Sequence, residues 1–176
     1  MGAGKRFELS LKNNICANTT DNVDALRPDF SGSSNHTVAD VVVLYENDWG
    51  LTAAYIELKK RQAKKGNRAT VMAGSSKGDS GMDELRALVD GTPPWASPAV
   101  GVKFNRKQLI VLEAENLLYA MGNDLQFDQH GLEARTTKAG NISMRKSGRI
   151  ASQQAGQQPW KACCQYIGVR DGDICE

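Results

Sequence analysis

The chain's 176 residues, 40% hydrophobic and 24% charged with a formal net charge of +2, suit one compact domain with an appended tail. A continuous apolar stretch of about 18 residues is absent, as is a signal-peptide apolar region, so we expect a soluble cytoplasmic protein with no membrane partner. Only two histidines are present and the four cysteines lack zinc-binding spacing, which argues against a histidine metal site, a Ser/His/Asp triad and a zinc site.

The first predicted element is an amphipathic helix over residues 5–16. Phe7, Leu11 and Ile15 recur at the helical spacing. Glu8 lies at the edge of this apolar stripe, near the N-terminus, where a carboxylate interacts favourably with the helix dipole. A plain surface acid is the alternative for Glu8 taken alone.

A short strand is predicted over residues 23–26, followed by a Ser/Gly segment over residues 27–34. The hydroxyl and backbone N–H groups of such a segment suit a phosphate. A plain flexible loop is the alternative.

Residues 38–61 predict two strands joined by a tight turn. Residues 41–45 are β-branched and aromatic, residues 53–58 form a second apolar run, and residues 47–50 have turn chemistry. If the loop is centred between Asp48 and Trp49, the register places Asp40 opposite Glu57, with their Cβ atoms roughly 4.5–5.5 Å apart.

Two carboxylates at that separation repel each other unless a proton or cation lies between them. Mg²⁺ prefers oxygen ligands and commonly takes one or two protein carboxylates with substrate phosphate oxygens. Lys59 lies two residues beyond Glu57 and therefore on the same face. The hairpin predicts a metal-and-phosphate site, and a surface hairpin with solvated charges is the alternative.

A basic stretch leaves this hairpin directly and contains no acid. Its members are Lys59, Lys60, Arg61, Lys64, Lys65 and Arg68. Beside a phosphodiester-cleaving centre these side chains would neutralise DNA phosphates. A solvated charged face is the usual alternative.

The next elements are a helix and two strands. Ser80 and Asp83 have the spacing of a capping box, which predicts a helix through Val89. Strands are expected over residues 98–104 and 107–114, and residues 115–121 predict a brief helix or an extended segment.

The patterning weakens from Gly122 onward. Residues 134–161 carry six bases and no acid, so we predict a first domain over 1–121 and a flexible basic extension over 122–176. Trp160, Tyr166 and Ile167 suit docking of the chain end as an extra strand. A nucleic-acid arm, a partner-binding segment and an extension of the fold all remain open for this region.

The order of these elements and motifs resembles the archaeal-type Holliday junction resolvases of the PD-(D/E)xK nuclease superfamily, over residues 4–118. Glu8 matches the glutamate of the family's first helix, and Arg27 with Ser31-Gly32 matches its Arg-x-x-x-Ser-Gly loop. The D…E-x-K core matches at Asp40, Glu57 and Lys59. The sequence departs from the family at Leu9, in a lengthened segment after Lys59 and in the tail.

The resemblance implies a restriction-endonuclease-like α/β core, in which helices flank a central mixed sheet. It implies an Mg²⁺-dependent homodimer, with Mn²⁺ as a substitute, that resolves four-way DNA junctions by paired symmetric nicks inside an archaeal cell or a virus-infected archaeal host. Asp40, Glu57, the Leu58 carbonyl and Glu8 would ligate the metal. Lys59 would orient the attacking water, completing a catalytic set of Glu8, Asp40, Glu57 and Lys59. The expected DNA contacts are Lys5, Arg6, Arg27, Ser31, Ser33, Lys60, Arg61, Lys64 and Lys65.

Three other functions remain open. One is another endonuclease of the superfamily, of restriction or repair type. The second is a DNA-binding accessory protein without turnover, against which the intact set of acids and lysine argues. The third is a basic structural protein, which predicts weak DNA binding that hardly depends on salt.

Overall fold

A computed structural model describes residues 2–28, 39–61, 67–74, 78–105, 108–147 and 158–175. The elements in chain order are α1 (Ala3–Ala17), β1 (Val23–Leu26), β2 (Val41–Asn47), β3 (Gly50–Lys60), β4 (Ala69–Met72), α2 (Gly81–Gly91), β5 (Ser97–Asn105), β6 (Gln108–Glu113), α3 (Ala114–Gly122), β7 (Phe127–Gln129), β8 (Leu132–Thr136), β9 (Ile142–Lys146), α4 (Pro159–Tyr166) and a 3-10 turn (Asp171–Asp173). None of the helices in these ranges is long and apolar enough to cross a membrane.

The central sheet has the strand order β1-β2-β3-β5-β6. Its β3 and β5 strands are parallel and its other neighbours antiparallel, because α2 carries the chain across between β3 and β5. This confirms the expected α/β class with a central mixed sheet flanked by helices. Residues 115–121, for which a brief helix or an extended segment was predicted, lie in the helix α3.

The central sheet separates two hydrophobic clusters. On one face, the stripe of α1 (Leu11 and Ile15) and the buried side of α4 pack against β2, β3 and β6. On the other face, Leu85 of α2 and Leu117 of α3 pack with a second sheet against β5 and β6. Val100 and Ala99 of β5 point into different clusters, as alternate residues of a strand must.

The hairpin has the predicted register. Val41 pairs with Ile56, and Asn47 pairs with Gly50 across a two-residue loop. The Asn47 side chain accepts a hydrogen bond from the Trp49 N–H (2.8 Å), and Gly50 has φ +119°, a conformation that favours glycine. The strong turn therefore determines which residues of β2 and β3 face each other.

The prediction of a flexible extension is wrong for residues 122–147 and 158–175, the parts of it that the structure describes. Residues 127–146 form β7, β8 and β9, which join β4 in a second antiparallel sheet of order β4-β9-β8-β7. Leu132 and Met144 are fully buried in the same cluster as α2, so the expected boundary after residue 121 crosses one hydrophobic core. All three strands are short, and β8 and β9 carry bases at exposed positions, which obscures their apolar alternation in the sequence.

The chain end docks as a helix, whereas its apolar residues also suited an extra strand. Pro159 begins α4, a position that proline favours, and Trp160 is buried against the α1 side of the central sheet. Tyr166 and Ile167 pack at the edge of the same cluster. Apolar residues at the chain end therefore complete the core.

Candidate active site

The site lies where the hairpin opens and β3 begins to pair with β5. Asp40 precedes β2, and its N–H donates to the Ile56 carbonyl (3.0 Å). Its Oδ2 accepts the Leu58 N–H at 2.7 Å. One backbone hydrogen bond thus fixes Asp40 against β3, and a second bond, from the Leu58 N–H, holds its carboxylate beside Glu57, as the register predicts.

Both carboxylates of this pair are shifted toward the protonated form. Burial raises the pKa of Asp40 against the opposing hydrogen bond from Leu58, and repulsion by Glu8 raises it further. Burial, followed by repulsion from Asp40, raises the pKa of Glu57 to about 7, although the attraction of Lys59 opposes it. The positive charge around Asp40 and Glu57 is therefore too small to offset two ionised carboxylates.

Lys59 lies between two acidic side chains. Its Nζ is 3.3 Å from Glu57 Oε1 and also contacts Glu84 Oε1. Burial disfavours the ammonium, but attraction by Glu57 and the hydrogen bond to Glu84 outweigh this, so the pKa of Lys59 is raised. Lys59 is therefore a fixed positive charge.

Glu84 belongs to this site, although sequence reasoning did not identify it. Its carboxylate is buried and accepts a second hydrogen bond, from the Gly74 N–H (3.2 Å). Glu84 precedes Leu88 by four residues, so the two share the inward face of α2. An acid on a core face of a helix is the signal that was available in the sequence.

Glu8 and Arg27 form an ion pair at the edge of the site, with Arg27 Nε 2.9 Å from Glu8 Oε2. A cleft of about 130 Å³ separates the start of α1 from the ends of β3 and β5. Its lining includes Glu8, Lys59, Lys60 and Lys103.

Lys103 is a second residue that sequence reasoning did not identify. It pairs directly with Lys60 across the parallel strands, and its Nζ lies 3.9 Å from the centroid of the Phe7 ring. Nothing in the local pattern signals this position, because it depends on the pairing of β3 with β5. The two lysines bring like charges together at the cleft beside the start of α1, which Glu8 also lines.

The expected DNA contacts have different environments. Lys5, Arg6 and Lys60 are exposed, whereas Arg61 is buried. The Arg61 guanidinium donates to the carbonyls of Met144 (3.3 Å) and Asn67, and burial lowers its pKa. The structure therefore removes Arg61 from the expected DNA contacts. Ser31, Ser33, Lys64 and Lys65 lie outside the described residues.

The metal set implied by the resemblance is only partly assembled. Within the described ranges, no three Asp, Glu, His or Cys side chains form a group that could hold a metal ion. Glu8, one of the expected ligands, is instead paired with Arg27. Asp40 and Glu57 nevertheless fit Mg²⁺, because two half-buried carboxylates that repel each other gain from a hard cation that keeps much of its water.

The metal-free protein is expected to lose stability as the pH rises. Glu57 has an ordinary pKa of 4.5 when unfolded and about 7 when folded. Between these values the folded state holds a proton that the unfolded state has released, so the free energy of unfolding falls, by about 3 kcal/mol in total. Urea unfolding in EDTA at several pH values measures this, and Glu57→Gln should remove most of it. Equal pH profiles for wild type and Glu57→Gln would contradict the raised pKa.

Neither a protein-family model nor a curated protein matches this chain. A search of solved structures finds Hjc of Archaeoglobus fulgidus, a Holliday junction resolvase from an archaeal hyperthermophile. The match has 20% sequence identity and a TM-score of 0.49, and it covers 86% of this chain and 98% of that one. At this similarity the chemistry of the site has to be judged from its own side chains.

Proposed function

We propose that this protein is a metal-dependent, structure-specific DNA endonuclease whose substrate is the four-way junction. The observation that carries the proposal is the arrangement of Asp40, Glu57 and Lys59. Two half-buried carboxylates repel each other beside a lysine that is held charged. Preference for the junction comes from the resemblance of the motifs to archaeal-type resolvases.

Asp40 and Glu57 would hold Mg²⁺, which would supply a Lewis acid for the phosphate and lower the pKa of a bound water. The Leu58 carbonyl is the expected third donor, on the residue whose N–H orients Asp40. Lys59 orients the attacking water and offsets the charge that develops on the phosphate. In-line attack breaks the bond from phosphorus to the 3′ oxygen and leaves a 5′-phosphate.

Glu8 orients Arg27 toward the phosphate groups that flank the cut. Their ion pair is partly exposed, so the guanidinium retains donors for a DNA oxygen. Lys60 and Lys103 line the adjoining cleft, and Lys5 and Arg6 are exposed on the first turn of α1. Contacts of this kind read backbone shape, so little base specificity is expected.

Removing Lys60 and Lys103 is expected to weaken junction binding and its salt dependence. Each lysine that contacts a phosphate contributes about one counterion, so the double alanine variant should reduce the slope of log K against log salt by about 2. Fluorescence anisotropy over a KCl series, with Ca²⁺ in place of Mg²⁺, measures this. Lys138→Ala, on the exposed turn after β8, is the matched control. An unchanged slope would place the DNA elsewhere.

A homodimer is part of the proposal, because a four-way junction has to be cut twice. A two-fold axis would present two copies of the site in fixed register. Light scattering of the free protein and of its junction complex tests this directly.

The test of the function is cleavage of a labelled mobile four-way junction with Mg²⁺, alongside linear duplex and flap substrates. Paired symmetric nicks that disappear with EDTA would support the proposal. Equal cleavage of linear duplex would favour another endonuclease of the superfamily. Binding without cleavage would favour the accessory protein.

A further inference from the structure

We propose that Glu84 is a positioning residue for Lys59, and that the second sheet holds it in place. The inference rests on the proposed nuclease function for what Lys59 does. The contacts of Glu84 themselves do not depend on that function. It assigns a role both to an acid outside the D…E-x-K motif and to part of the extension after residue 121.

Both oxygens of the Glu84 carboxylate are occupied by donors. Oε1 contacts the Lys59 ammonium, and Oε2 accepts the Gly74 N–H at 3.2 Å. The Glu84 side chain is only 7% exposed, compared with 20% for Lys59. A carboxylate bound at both oxygens and shielded from water has little freedom to turn, so it restricts the position of the ammonium.

Lys59 needs Glu84 because its other acceptor, Glu57, has a second proposed role. Glu57 Oε1 lies 3.3 Å from Lys59 Nζ, and Glu57 is also a proposed metal ligand. When Glu57 donates its oxygens to a cation, its attraction for Lys59 weakens and the cation repels the ammonium. Glu84 is the acceptor that keeps Lys59 beside the reacting phosphate in that state.

The second sheet determines where Glu84 lies, through the first turn of α2. The Gly81 N–H donates to Asn141 Oδ1 (3.0 Å), and the Met82 N–H donates to the Gly140 carbonyl (2.9 Å). Both acceptors belong to the turn between β8 and β9. A side chain at Gly81 would overlap the Met72 carbonyl at the end of β4, so α2 begins in direct contact with this sheet.

A separate hydrogen bond ties the other side of the site to the same sheet. Arg61, two residues beyond Lys59, donates to the Met144 carbonyl of β9 at 3.3 Å. The strand that carries Lys59 and the helix that carries Glu84 are therefore both fastened to the second sheet. Part of the extension after residue 121 thus fixes the distance between these two side chains.

The experiment compares Glu84→Gln with Asp90→Asn. Both remove one acid from α2, but Asp90 is exposed. Single-turnover cleavage of the junction and junction affinity in Ca²⁺ are measured for each. Lys59 reactivity is followed in parallel by competitive acylation and mass spectrometry. Thermal unfolding confirms that each variant is folded.

Glu84→Gln is expected to lower the cleavage rate about 10–100-fold, the usual effect of losing a residue that orients a functional group. Junction affinity should change less than about twofold, and Lys59 should be acylated several times faster. Asp90→Asn should match the wild type in all three measurements. A merely structural Glu84 would lower stability and affinity without changing Lys59 reactivity in the folded protein.

Asn141→Ala is the second variant, because it leaves every side chain of the site in place. It should shift the cleavage rate and Lys59 reactivity in the same direction as Glu84→Gln, to a smaller extent. If Glu84→Gln does not fold, this variant decides the result. Unchanged Lys59 reactivity in both variants would overturn the inference. Absence of cleavage by the wild type would overturn only the proposed function, since acylation still reports whether Glu84 holds Lys59.

Discussion

Asp40→Asn is expected to abolish DNA cleavage and leave DNA binding intact. The substitution removes one of the two carboxylates proposed to hold the metal, and the loss of several kcal/mol of charge stabilisation corresponds to at least about 10³-fold in rate. The asparagine oxygen can still accept the Leu58 N–H, so the local backbone should keep its conformation. Single-turnover cleavage in Mg²⁺ and anisotropy in Ca²⁺ measure the two properties separately.

The same substitution is expected to stabilise the metal-free protein. The pKa of Asp40 is raised, chiefly by burial, so its charged form disfavours the folded state at pH 8. A neutral side chain also removes a repulsion from Glu57. A gain of about 1 kcal/mol would raise the Tm by roughly 2–4 °C in a protein of this size. Thermal unfolding in EDTA measures this gain.

Loss of activity together with a higher Tm would show that Asp40 serves function at the expense of stability. Asp128→Asn is the control, because Asp128 is an exposed acid on the second sheet. It should alter neither cleavage nor Tm appreciably. Wild-type cleavage rates in Asp40→Asn would eliminate Asp40 as a metal ligand.

Lys59→Met is expected to abolish cleavage and also to destabilise the protein at pH 8. Methionine keeps the unbranched shape of lysine. It leaves both the buried Glu84 carboxylate and the Glu57 carboxylate without their cationic partner. Breaking a buried ion pair by removing one partner costs about 3–5 kcal/mol. Because Lys59 is 20% exposed, the lower end of this range is expected. Urea unfolding measures the change.

The double variant Lys59→Met with Glu84→Gln separates these two effects. Neutralising Glu84 removes the uncompensated charge, so most of the lost stability should return, whereas cleavage should not. Lys60→Met, at the exposed neighbouring position, controls the urea measurement for the loss of a lysine from β3. If the double variant is no more stable than Lys59→Met, the Lys59–Glu84 contact contributes little to folding.

Local sequence determined the features of this protein that depend on neighbouring residues. The Asn47–Gly50 turn sets the β2–β3 register, and that register alone places Asp40 beside Glu57 and Lys59. The capping box at Ser80 starts α2, and the stripe of α1 predicts its buried face. In each case the sequence signal and the structure that it produces lie within a single hairpin or a single helix.

Tertiary structure alone decided the features that join distant parts of the chain. Lys103 reaches the site because β5 pairs in parallel with β3, and Glu84 reaches it because α2 packs across that pairing. Arg61 has the sequence context of a DNA contact, yet its side chain is buried and donates a hydrogen bond to a backbone carbonyl of β9. The second sheet forms because β4 pairs with β9, which follows α2 and α3 in the sequence. Such pairings depend on the shape of the assembled core, which no single segment of the sequence encodes.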